Sequence, residues 1–443
     1  METRRNLWVL VFQCSLAVLV IGAWAIFVIN YYDIEFGHAA FSYDSLPVPG
    51  DAVENSLAYI GSDNHIWLVK PGIPNSAHRI STREGNYSLP TWSPDDRWIA
   101  FMGRMNDRWG IFINTANQTT QSTLFSSKDK RPIFIKWSPD ANYLGYLSSS
   151  AGQVELRSLA LIDPKIDYQL AKASRVYWDW GPSGDQAMVN VGGQMMLRLQ
   201  GRTTESELFL NNNRIQSPVW DSINNRTYYV RQENFIDNTL YYSNLDFEEE
   251  TALAEVSGSC RIALSRDGRY LGVLVSNEYV VSPFWSNSPG GIILIDLESG
   301  TQRHISEDLA IAFYFSPDSS KVAVLKRFWG QNINDNMEQY ANVHMLTNRN
   351  DLRSAIYEIL IYDIEEDTLD ILAVFSATRR FHGTVPYFDQ FHKSHSFWSP
   401  DSRYFVVSHM DDSDIGRISI LDAYRESIPQ HIADGSFAVW SWQ

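Results

Sequence analysis

The sequence predicts an all-β fold, a β-propeller of four-stranded antiparallel blades preceded by one N-terminal transmembrane helix. Two observations predict the propeller: a phrase around Trp-Ser-Pro-Asp recurs along the chain, and its copies are spaced by about one blade length. A third observation, a long uncharged apolar run near the N-terminus, predicts the membrane helix.

Composition narrows the class of protein. The 443 residues are 44% apolar and 13% aromatic, which is typical of a folded chain with a large core. The net charge of −16 belongs to the part of the chain beyond the apolar run. An acidic domain repels phosphate backbones, and no basic stripe offsets this, so nucleic acid is not expected as a partner. Cys260 is the only cysteine beyond the apolar run, so no internal disulfide is expected there.

The apolar run covers residues 7–32 and carries no charge. At about 1.5 Å per residue, a helix of this length crosses the ~30 Å apolar core of a bilayer. Two arginines precede the run and acidic residues follow it, so residues 1–6 are expected in the cytoplasm and the rest outside. A cleaved signal peptide is the alternative, because Ala23 and Ala25 form a small-x-small pattern. The apolar run continues past that pattern, which favours an uncleaved anchor.

The repeated phrase is anchored on the residue, usually aromatic, that precedes a turn. These anchors follow one another at steps of 45, 43, 40, 44, 51, 83 and 42 residues and are Trp92, Trp137, Trp180, Trp220, Leu264, Phe315, Trp398 and Trp440. A period of about 40 to 45 residues is the length of one four-stranded blade. We expect the aromatic ring to fill space between blades and the turn Asp to accept backbone N–H groups. The turn residues given this role are Asp95, Asp140, Asp267, Asp318 and Asp401.

The chain ends supply one further blade beside seven complete units. Residues 56–81 read as second, third and fourth strands without a first, and SFAVWSWQ at the C-terminus reads as a first strand alone. Their pairing predicts a closed propeller of eight blades over 56–443, after a linker at 33–55. The units at Trp180 and Trp220 lack the turn Asp, so seven blades is the alternative.

The Trp-Ser-Pro-Asp phrase followed by a short apolar strand resembles the Pro-Asp-type, WD40-like repeats of TolB-like β-propeller proteins. Propeller domains of tricorn-type and prolyl-oligopeptidase-type peptidases share the phrase. The resemblance implies a propeller from about residue 55 onward and a role in the bacterial cell envelope. TolB-like propellers are typically soluble periplasmic proteins, whereas this chain is predicted to be anchored. The expected location is the bacterial cytoplasmic membrane, crossed once, with the N-terminus inside and the propeller outside.

The step from Phe315 to Trp398 is about 40 residues longer than one blade. The surplus is predicted to form two loops, 329–354 and 376–396, on the same rim as a third long loop at 277–291. Long loops in compact domains are usually functional or disordered. Their aromatic and cationic residues predict a surface for a protein or peptide partner, and the cations favour an acidic one. These residues are Tyr279, Phe284, Trp285, Trp329, Arg379, Arg380, Phe381, His382, Tyr387, Phe388, Phe391 and Lys393.

Other interpretations stay open. The aromatic side chains of these loops could instead pack onto the propeller rim. The chain has no G-x-S-x-G, H-E-x-x-H, C-x-x-C or G-x-x-x-x-G-K-[ST] motif, so a non-enzymatic docking or scaffold module without a cofactor is predicted. A propeller enzyme acting on glycans and a propeller that recruits a separately encoded hydrolase are the alternatives. No metal is predicted, because H-x-x-H at His392 and His395 is a weak pattern and the acidic turn at 411–414 lacks a calcium loop's Gly and Glu.

Overall fold

The computed structural model describes residues 46 and 51–443 except 117–120, 175, 192–193, 200–214, 234–236, 245–248, 277–288, 330–342 and 347–354. The predicted membrane helix at 7–32 therefore lies outside the described residues, as does most of the predicted linker at 33–55. No helix in the described part of the chain is long and apolar enough to cross a bilayer. The fold described below belongs to the compact unit Ser45–Gln443.

The predicted all-β fold is confirmed. The strands formed by the described residues are β1 (Leu57–Gly61), β2 (Ile66–Val69), β3 (His78–Arg79), β4 (Asn86–Trp92), β5 (Trp98–Met105), β6 (Arg108–Thr115), β7 (Ser122–Ser127), β8 (Arg131–Trp137), β9 (Tyr143–Ser150), β10 (Gln153–Ala160), β11 (Asp167–Ala173), β12 (Val176–Trp180), β13 (Gln186–Val191), β14 (Gln194–Leu199), β15 (Ile215–Asp221), β16 (Arg226–Gln232), β17 (Asp237–Asn244), β18 (Glu250–Ser257), β19 (Ser259–Leu264), β20 (Tyr270–Ser276), β21 (Gly290–Asp296), β22 (Gln302–Phe315), β23 (Lys321–Trp329), β24 (His344–Leu346), β25 (Ala355–Asp363), β26 (Thr368–Ser376), β27 (Tyr404–Met410), β28 (Gly416–Asp422) and β29 (Gln430–Trp440). Two short helices, α1 (Arg379–Thr384) and α2 (Phe388–Phe391), flank a 3₁₀ turn at Val385–Tyr387.

Apart from β24, the described strands pair in sequential, antiparallel order within repeats of about four strands. β4 to β7, β8 to β11 and β15 to β18 each form a four-stranded sheet, and β12 to β14 form a three-stranded one. Two longer sheets arise because one strand serves two repeats. β22 pairs with β21 along its first part and with β23 along its second, and β29 pairs with β28 and then with β1. Each of these strands ends one repeat and begins the next.

The second strands of the repeats are buried on both faces. In β5, every residue from Trp98 to Gly103 is buried, although neighbouring side chains point to opposite faces of a strand. Burial of both faces requires packed structure on either side of the sheet. The consecutive apolar residues of these strands therefore reflect sheets that stack face to face.

The turn phrase makes the same hydrogen bonds in five copies. At Ser399 the hydroxyl donates to Asp401 Oδ1 (2.5 Å), which also accepts the backbone N–H of Arg403 (3.1 Å). The backbone N–H of Tyr404 donates to Ser399 Oγ (2.8 Å). The other copies begin at Ser93, Ser138, Ser265 and Ser316. In all five copies the Asp side chain forms the turn by accepting these local hydrogen bonds.

The two units without this phrase form turns with other acidic residues. Ser183 donates its hydroxyl to Asp185 in the unit of Trp180. In the unit of Trp220, Asp221 Oδ1 accepts the backbone N–H groups of Ile223 (2.9 Å) and Asn224 (3.1 Å). A carboxylate therefore accepts a hydrogen bond within each of these turns too.

The anchor tryptophans link neighbouring repeats. The indole Nε1 donates to a backbone carbonyl in the first strand of the preceding repeat, from Trp137 to Thr91 (3.3 Å), from Trp180 to Lys136 (3.2 Å) and from Trp398 to Tyr314 (3.0 Å). Each acceptor directly precedes the anchor of its own repeat. The anchors that are buried are Trp92, Trp137, Trp180, Trp220, Trp398 and Trp440, whereas Phe315 is half-buried.

The last strand pairs with the first. Phe437 to Trp440 of β29 lie antiparallel to Leu57 to Ile60 of β1. The backbone N–H of Ser441 donates to the carbonyl of Ser56 (2.8 Å), which extends the pairing by one step. Residues about 380 positions apart in the sequence thus share one sheet.

The buried side chain of Asp96 forms hydrogen bonds with the two residues at the C-terminal end of the chain, beyond β29. Asp96 accepts the backbone N–H groups of Trp442 (2.8 Å) and Gln443 (2.7 Å). Burial raises the pKa of Asp96 to about 7, although both hydrogen bonds oppose the shift. The folded chain therefore binds this proton more tightly than the unfolded chain does.

This proton linkage predicts a pH effect on stability. An unfolded Asp titrates near pH 3.9, so the contribution of the Asp96 proton to folding is present in acid and is lost as the pH rises through about 7. Between about pH 5 and about pH 8, the wild-type free energy of unfolding should fall by about 1 to 3 kcal/mol relative to Asp96→Asn. Chemical denaturation of both chains measures this. The exposed control Asp412→Asn should follow the wild type, and a difference between wild type and Asp96→Asn that is constant with pH would contradict the prediction.

Candidate functional site: a plug and a cavity on the propeller axis

The segment predicted as a rim loop at 376–396 is an insertion within a first strand. Ala377 forms a β-bridge with His409, and Trp398 forms one with Phe405, both on β27. The residues between these bridges leave the sheet and form α1, the 3₁₀ turn and α2. Thr378 caps α1, because its Oγ1 accepts the backbone N–H of Phe381 (3.3 Å). We call residues 379–395 the plug.

The plug contacts the first strands of six repeats, β4, β8, β12, β15, β19 and β22. Two plug cations donate to backbone carbonyls, Arg380 to Tyr87 of β4 and Lys393 to Trp220 of β15. Two plug carbonyls accept from side chains, Asp389 from the hydroxyl of Tyr177 on β12 and Pro386 from the guanidinium of Arg261 on β19. Two plug rings contact rings of the strands, Phe391 with Phe134 of β8 and Phe388 with Phe313 of β22. First strands of so many repeats converge on one segment only around a common axis. The plug therefore lies on the axis, and the prediction of a rim loop at 376–396 was wrong.

Three residues predicted to bind a partner are instead core residues of the plug. Phe381 and Phe388 are 0% exposed and Phe391 is 7% exposed. Phe388 lies 4.6 Å from Phe313 and Phe391 lies 4.6 Å from Phe134, measured between ring centroids. Large rings fill the space that remains where strands converge on an axis. These aromatic residues stabilise the fold and cannot act as exposed anchors.

The other plug residues predicted to bind a partner differ in their hydrogen bonds and in their exposure. Arg380 donates to the carbonyl of Tyr87 (2.7 Å) and to Asn64 Oδ1 (3.0 Å), which is a structural role. His382 Nδ1 is 2.8 Å from the hydroxyl of Tyr357. Exposed Arg379 and half-buried Tyr387 remain accessible in part.

The remaining two predicted loops lie mostly outside the described residues. Tyr279, Phe284 and Trp285 belong to that part, so their role stays a prediction. The backbone of Trp329 ends β23, opposite Ala355 of β25. Within 329–354, the described residues 344–346 form β24, which pairs in parallel with β26 and is not a plain loop.

A cavity of about 400 Å³ lies on the axis at the end where the repeated turns are found. One turn residue from each of six repeats lines it, namely Pro94, Pro139, Pro182, Ser222, Arg266 and Pro317. Its aromatic lining residues are Trp137, Trp180, Trp220, Tyr314, Phe315, Phe397, Trp398, Trp442 and Phe313. The C-terminal end of the plug, at His392, Lys393 and His395, also lines it. The plug occupies the axis beyond these residues, so the cavity is a blind pocket.

An ion-pair cluster joins the plug to the cavity wall. Asp179 Oδ1 accepts Lys136 Nζ (2.6 Å), and Asp179 Oδ2 accepts Lys393 Nζ (2.5 Å). Backbone N–H groups of Trp180 and Trp220 donate to the same two oxygens, each at 3.0 Å. Lys136 and Asp179 are buried, with 4% and 3% exposure. The carboxylate is the centre of the cluster because it receives four hydrogen bonds.

The protonation states in the cavity follow from burial and these charges. Burial alone would raise the pKa of Asp179, but Lys136 and Lys393 outweigh it and hold this pKa well below its usual range. Burial lowers the pKa of Lys136, and Asp179 opposes that shift. Burial also lowers the pKa values of His392 and His395 to about 3. Asp179 is therefore ionised and both imidazoles are neutral near pH 7.

Each of the two histidines forms a hydrogen bond within the plug through Nδ1 and has an Nε2 that is unpaired within the described chain. His392 Nδ1 donates to the carbonyl of Phe388 (3.0 Å), and His395 Nδ1 lies 2.7 Å from Ser394 Oγ. Nε2 of each ring has no hydrogen-bond partner among the described residues. In the described part of the chain, no group of three or more His, Cys, Asp or Glu could hold a metal ion.

Sequence reasoning missed Lys136 and Asp179, although a signal for them exists. Each directly precedes an anchor tryptophan, in consecutive repeats. At the same position the other repeats carry uncharged residues, which are Thr91, Val219, Ala263, Tyr314, Phe397 and Val439. Opposite charges at one position of two neighbouring first strands indicate an ion pair beside the axis.

Comparisons with known proteins support the fold alone. No protein-family model matches the sequence, and no curated protein matches it. Dihydro-heme d1 dehydrogenase NirN in complex with DHE is similar over 90% of this chain and 78% of its own, with a TM-score of 0.57 and 16% identity. A eukaryotic initiation factor is similar over 88% of this chain and 99% of its own, with a TM-score of 0.54 and 11% identity.

The likeness to NirN, which is a β-propeller protein, supports the propeller fold predicted from the repeats. TolB from Acinetobacter baumannii matches 58% of this chain and 64% of its own, with a TM-score of 0.36 and 14% identity, which is too low to carry an argument. A dehydrogenase and an initiation factor share the architecture, so the fold does not distinguish an enzyme from a scaffold.

The ion-pair cluster predicts unequal losses of stability for two substitutions. Asp179→Asn leaves two ammonium groups without a carboxylate and should lower the free energy of unfolding by about 3 to 5 kcal/mol. Lys393→Met keeps the side-chain volume and leaves the Lys136–Asp179 pair balanced, so its loss should not exceed about 1 kcal/mol. Chemical denaturation of the full chain measures both. Equal losses for the two variants would show that the cluster is not organised by Asp179.

Proposed function

We propose that this chain is a membrane-anchored, extracytoplasmic propeller of eight blades that docks a protein partner without catalysing a reaction. The observation that carries the proposal is the blind, aromatic-lined cavity on the axis, at the end that holds the repeated turns. A pocket that is open at one end suits a protruding segment of a partner, and buried aromatic residues contribute most of the energy at protein interfaces. The anchor is the apolar run at 7–32.

The surface around the cavity supports docking on this face. Antiparallel strands alternate direction, so the connections after first and third strands lie at the same end of each repeat. The large apolar residues exposed on those connections are Ile73, Ile162, Ile223, Tyr424 and Ile428. Ile223 is 60% exposed and also lines the cavity. An exposed apolar side chain such as Ile223 beside an aromatic pocket favours a protein interface over a purely solvated face.

The carboxylates of the cavity support binding over catalysis. Asp179 and Asp221 are its acidic lining residues. Asp179 accepts four hydrogen bonds, and Asp221 accepts the N–H groups of Ile223 and Asn224 through Oδ1 and the Asn224 amide through Oδ2. A glycan-cleaving propeller would need two carboxyl groups able to act as acid and base. Neither of these is placed to exchange a proton with a substrate.

Site-specific crosslinking tests the docking face. A photo-reactive amino acid replaces Ile223 beside the cavity or, as the matched control, Ile415, which is 40% exposed on a connection at the opposite end. In the intact protein in its own membrane, we expect position 223 to form a discrete crosslinked product and position 415 to form none. Replacing 329–354 by a short turn should leave this product unchanged. A product from position 415 alone, or one lost with 329–354, would place the partner on the other rim.

A further inference from the structure

The cavity contains more positive than negative charge. Among the described residues, Asp179 is the one carboxylate that pairs with both Lys136 and Lys393, and Lys136 is almost fully buried. A buried ammonium group is costly unless an anion pairs with it, because burial removes its hydration. One carboxylate can neutralise one of the two lysines.

The other charged lining residues do not correct this excess. Arg266 and Asp221 add one charge of each sign, and the neutral imidazoles add none. Among the described lining residues there are thus three cations and two carboxylates. This local excess lies in a chain whose net charge is −16, so it is not a consequence of overall composition.

The cluster also has unused hydrogen-bond donors. Asp179 has no acceptor position left, since each of its oxygens receives two hydrogen bonds. An ammonium group has three N–H donors. Lys136 donates to Asp179, and Lys393 donates to Asp179 and to the carbonyl of Trp220, which leaves donors on both lysines as far as the described residues go.

Further polar atoms of the lining lack partners in the described part of the chain. Each is buried, and they are Trp220 Nε1, Tyr314 Oη, His392 Nε2 and His395 Nε2. Trp220 and Tyr314 can donate, His392 Nε2 accepts because Nδ1 of that ring donates to a carbonyl, and His395 Nε2 accepts or donates according to its tautomer. Buried polar atoms are normally hydrogen-bonded, so several unpaired ones around a single cavity point to a ligand with both acceptors and donors.

We propose that the cavity binds one carboxylate group of a peptide segment between Lys136 and Lys393, an inference that rests on the proposed docking function. A carboxylate carries a single negative charge, which balances the excess, whereas a phosphate monoester carries about −1.5 to −2 and would over-neutralise it. The aromatic walls accommodate the apolar part of the segment. The carboxylate comes from a chain end or from an acidic side chain.

Binding of defined probes to the full-length chain in detergent tests the inference. One peptide carries a free C-terminal carboxylate, and its matched version is amidated. A second amidated pair carries Asp or Asn at an internal position, and acetate represents a small carboxylate. Titration calorimetry gives Kd, and tryptophan fluorescence reports on the cavity because several tryptophans line it. We expect the carboxylate form of at least one pair to bind with a Kd of about 1 mM or tighter, and its neutral partner to bind at least about tenfold more weakly.

Variants assign the binding to the lysines. Lys393→Met should weaken carboxylate binding by at least about tenfold, because it removes one charge-assisted hydrogen bond. Lys393→Arg should retain most of the binding, and the exposed Lys165→Met should behave as wild type. Lys136→Met provides a second variant if Lys393→Met does not fold.

Two results would overturn the inference: no carboxylate probe binds at a Kd of about 1 mM or tighter, or binding is the same in wild type and both Met variants. Either result leaves the docking function standing if position 223 still crosslinks a partner. Loss of the crosslink with intact carboxylate binding would instead remove the docking function and identify a small-molecule site.

Discussion

Packing of the plug against the first strands of six repeats is the contact on which the rest of the structure depends. Strands that converge on an axis leave a space too wide for their own side chains, and Phe381, Phe388 and Phe391 fill it with buried rings. Tyr177, Arg261 and Thr91 fix the plug backbone through hydrogen bonds to three of its carbonyls. An insertion of this kind therefore behaves as core, although it lies between strands.

The end of the plug creates the site that we consider functional. Lys136 and Asp179 alone would form a balanced ion pair. Because Lys393 also contacts Asp179, the three side chains form a cluster with an excess positive charge. The same end of the plug lines the cavity at His392, Lys393 and His395. The remaining opening of the cavity faces the turn end, where apolar residues are exposed. Shape, charge and surface thus come from one segment and favour binding at that end.

Much of the fold could be predicted from the sequence because it repeats. The anchors recur at blade spacing, and the turn residues make local hydrogen bonds that any copy of the phrase can make. The plug could not be predicted, because its segment has no hydrophobic periodicity. Without periodicity, the sequence does not distinguish a buried aromatic residue such as Phe381 from an exposed one. Its length was apparent, but its direction into the axis depends on long-range packing with strands such as β8 and β19. Lys136 and Asp179 were missed because their equivalent positions in neighbouring repeats become apparent only when the repeats are aligned with one another.

Hydrogen exchange of the plug amides tests most directly whether this segment fills the axis. The backbone N–H groups of residues 381–395 should exchange as slowly as those of β27, because opening the plug requires separating it from several repeats. The turn at 411–414 contains exposed Asp412, whose backbone N–H donates no hydrogen bond within the described residues and provides an internal reference for rapid exchange. Exchange of the plug as fast as that turn would contradict a buried axial segment and return it to the rim.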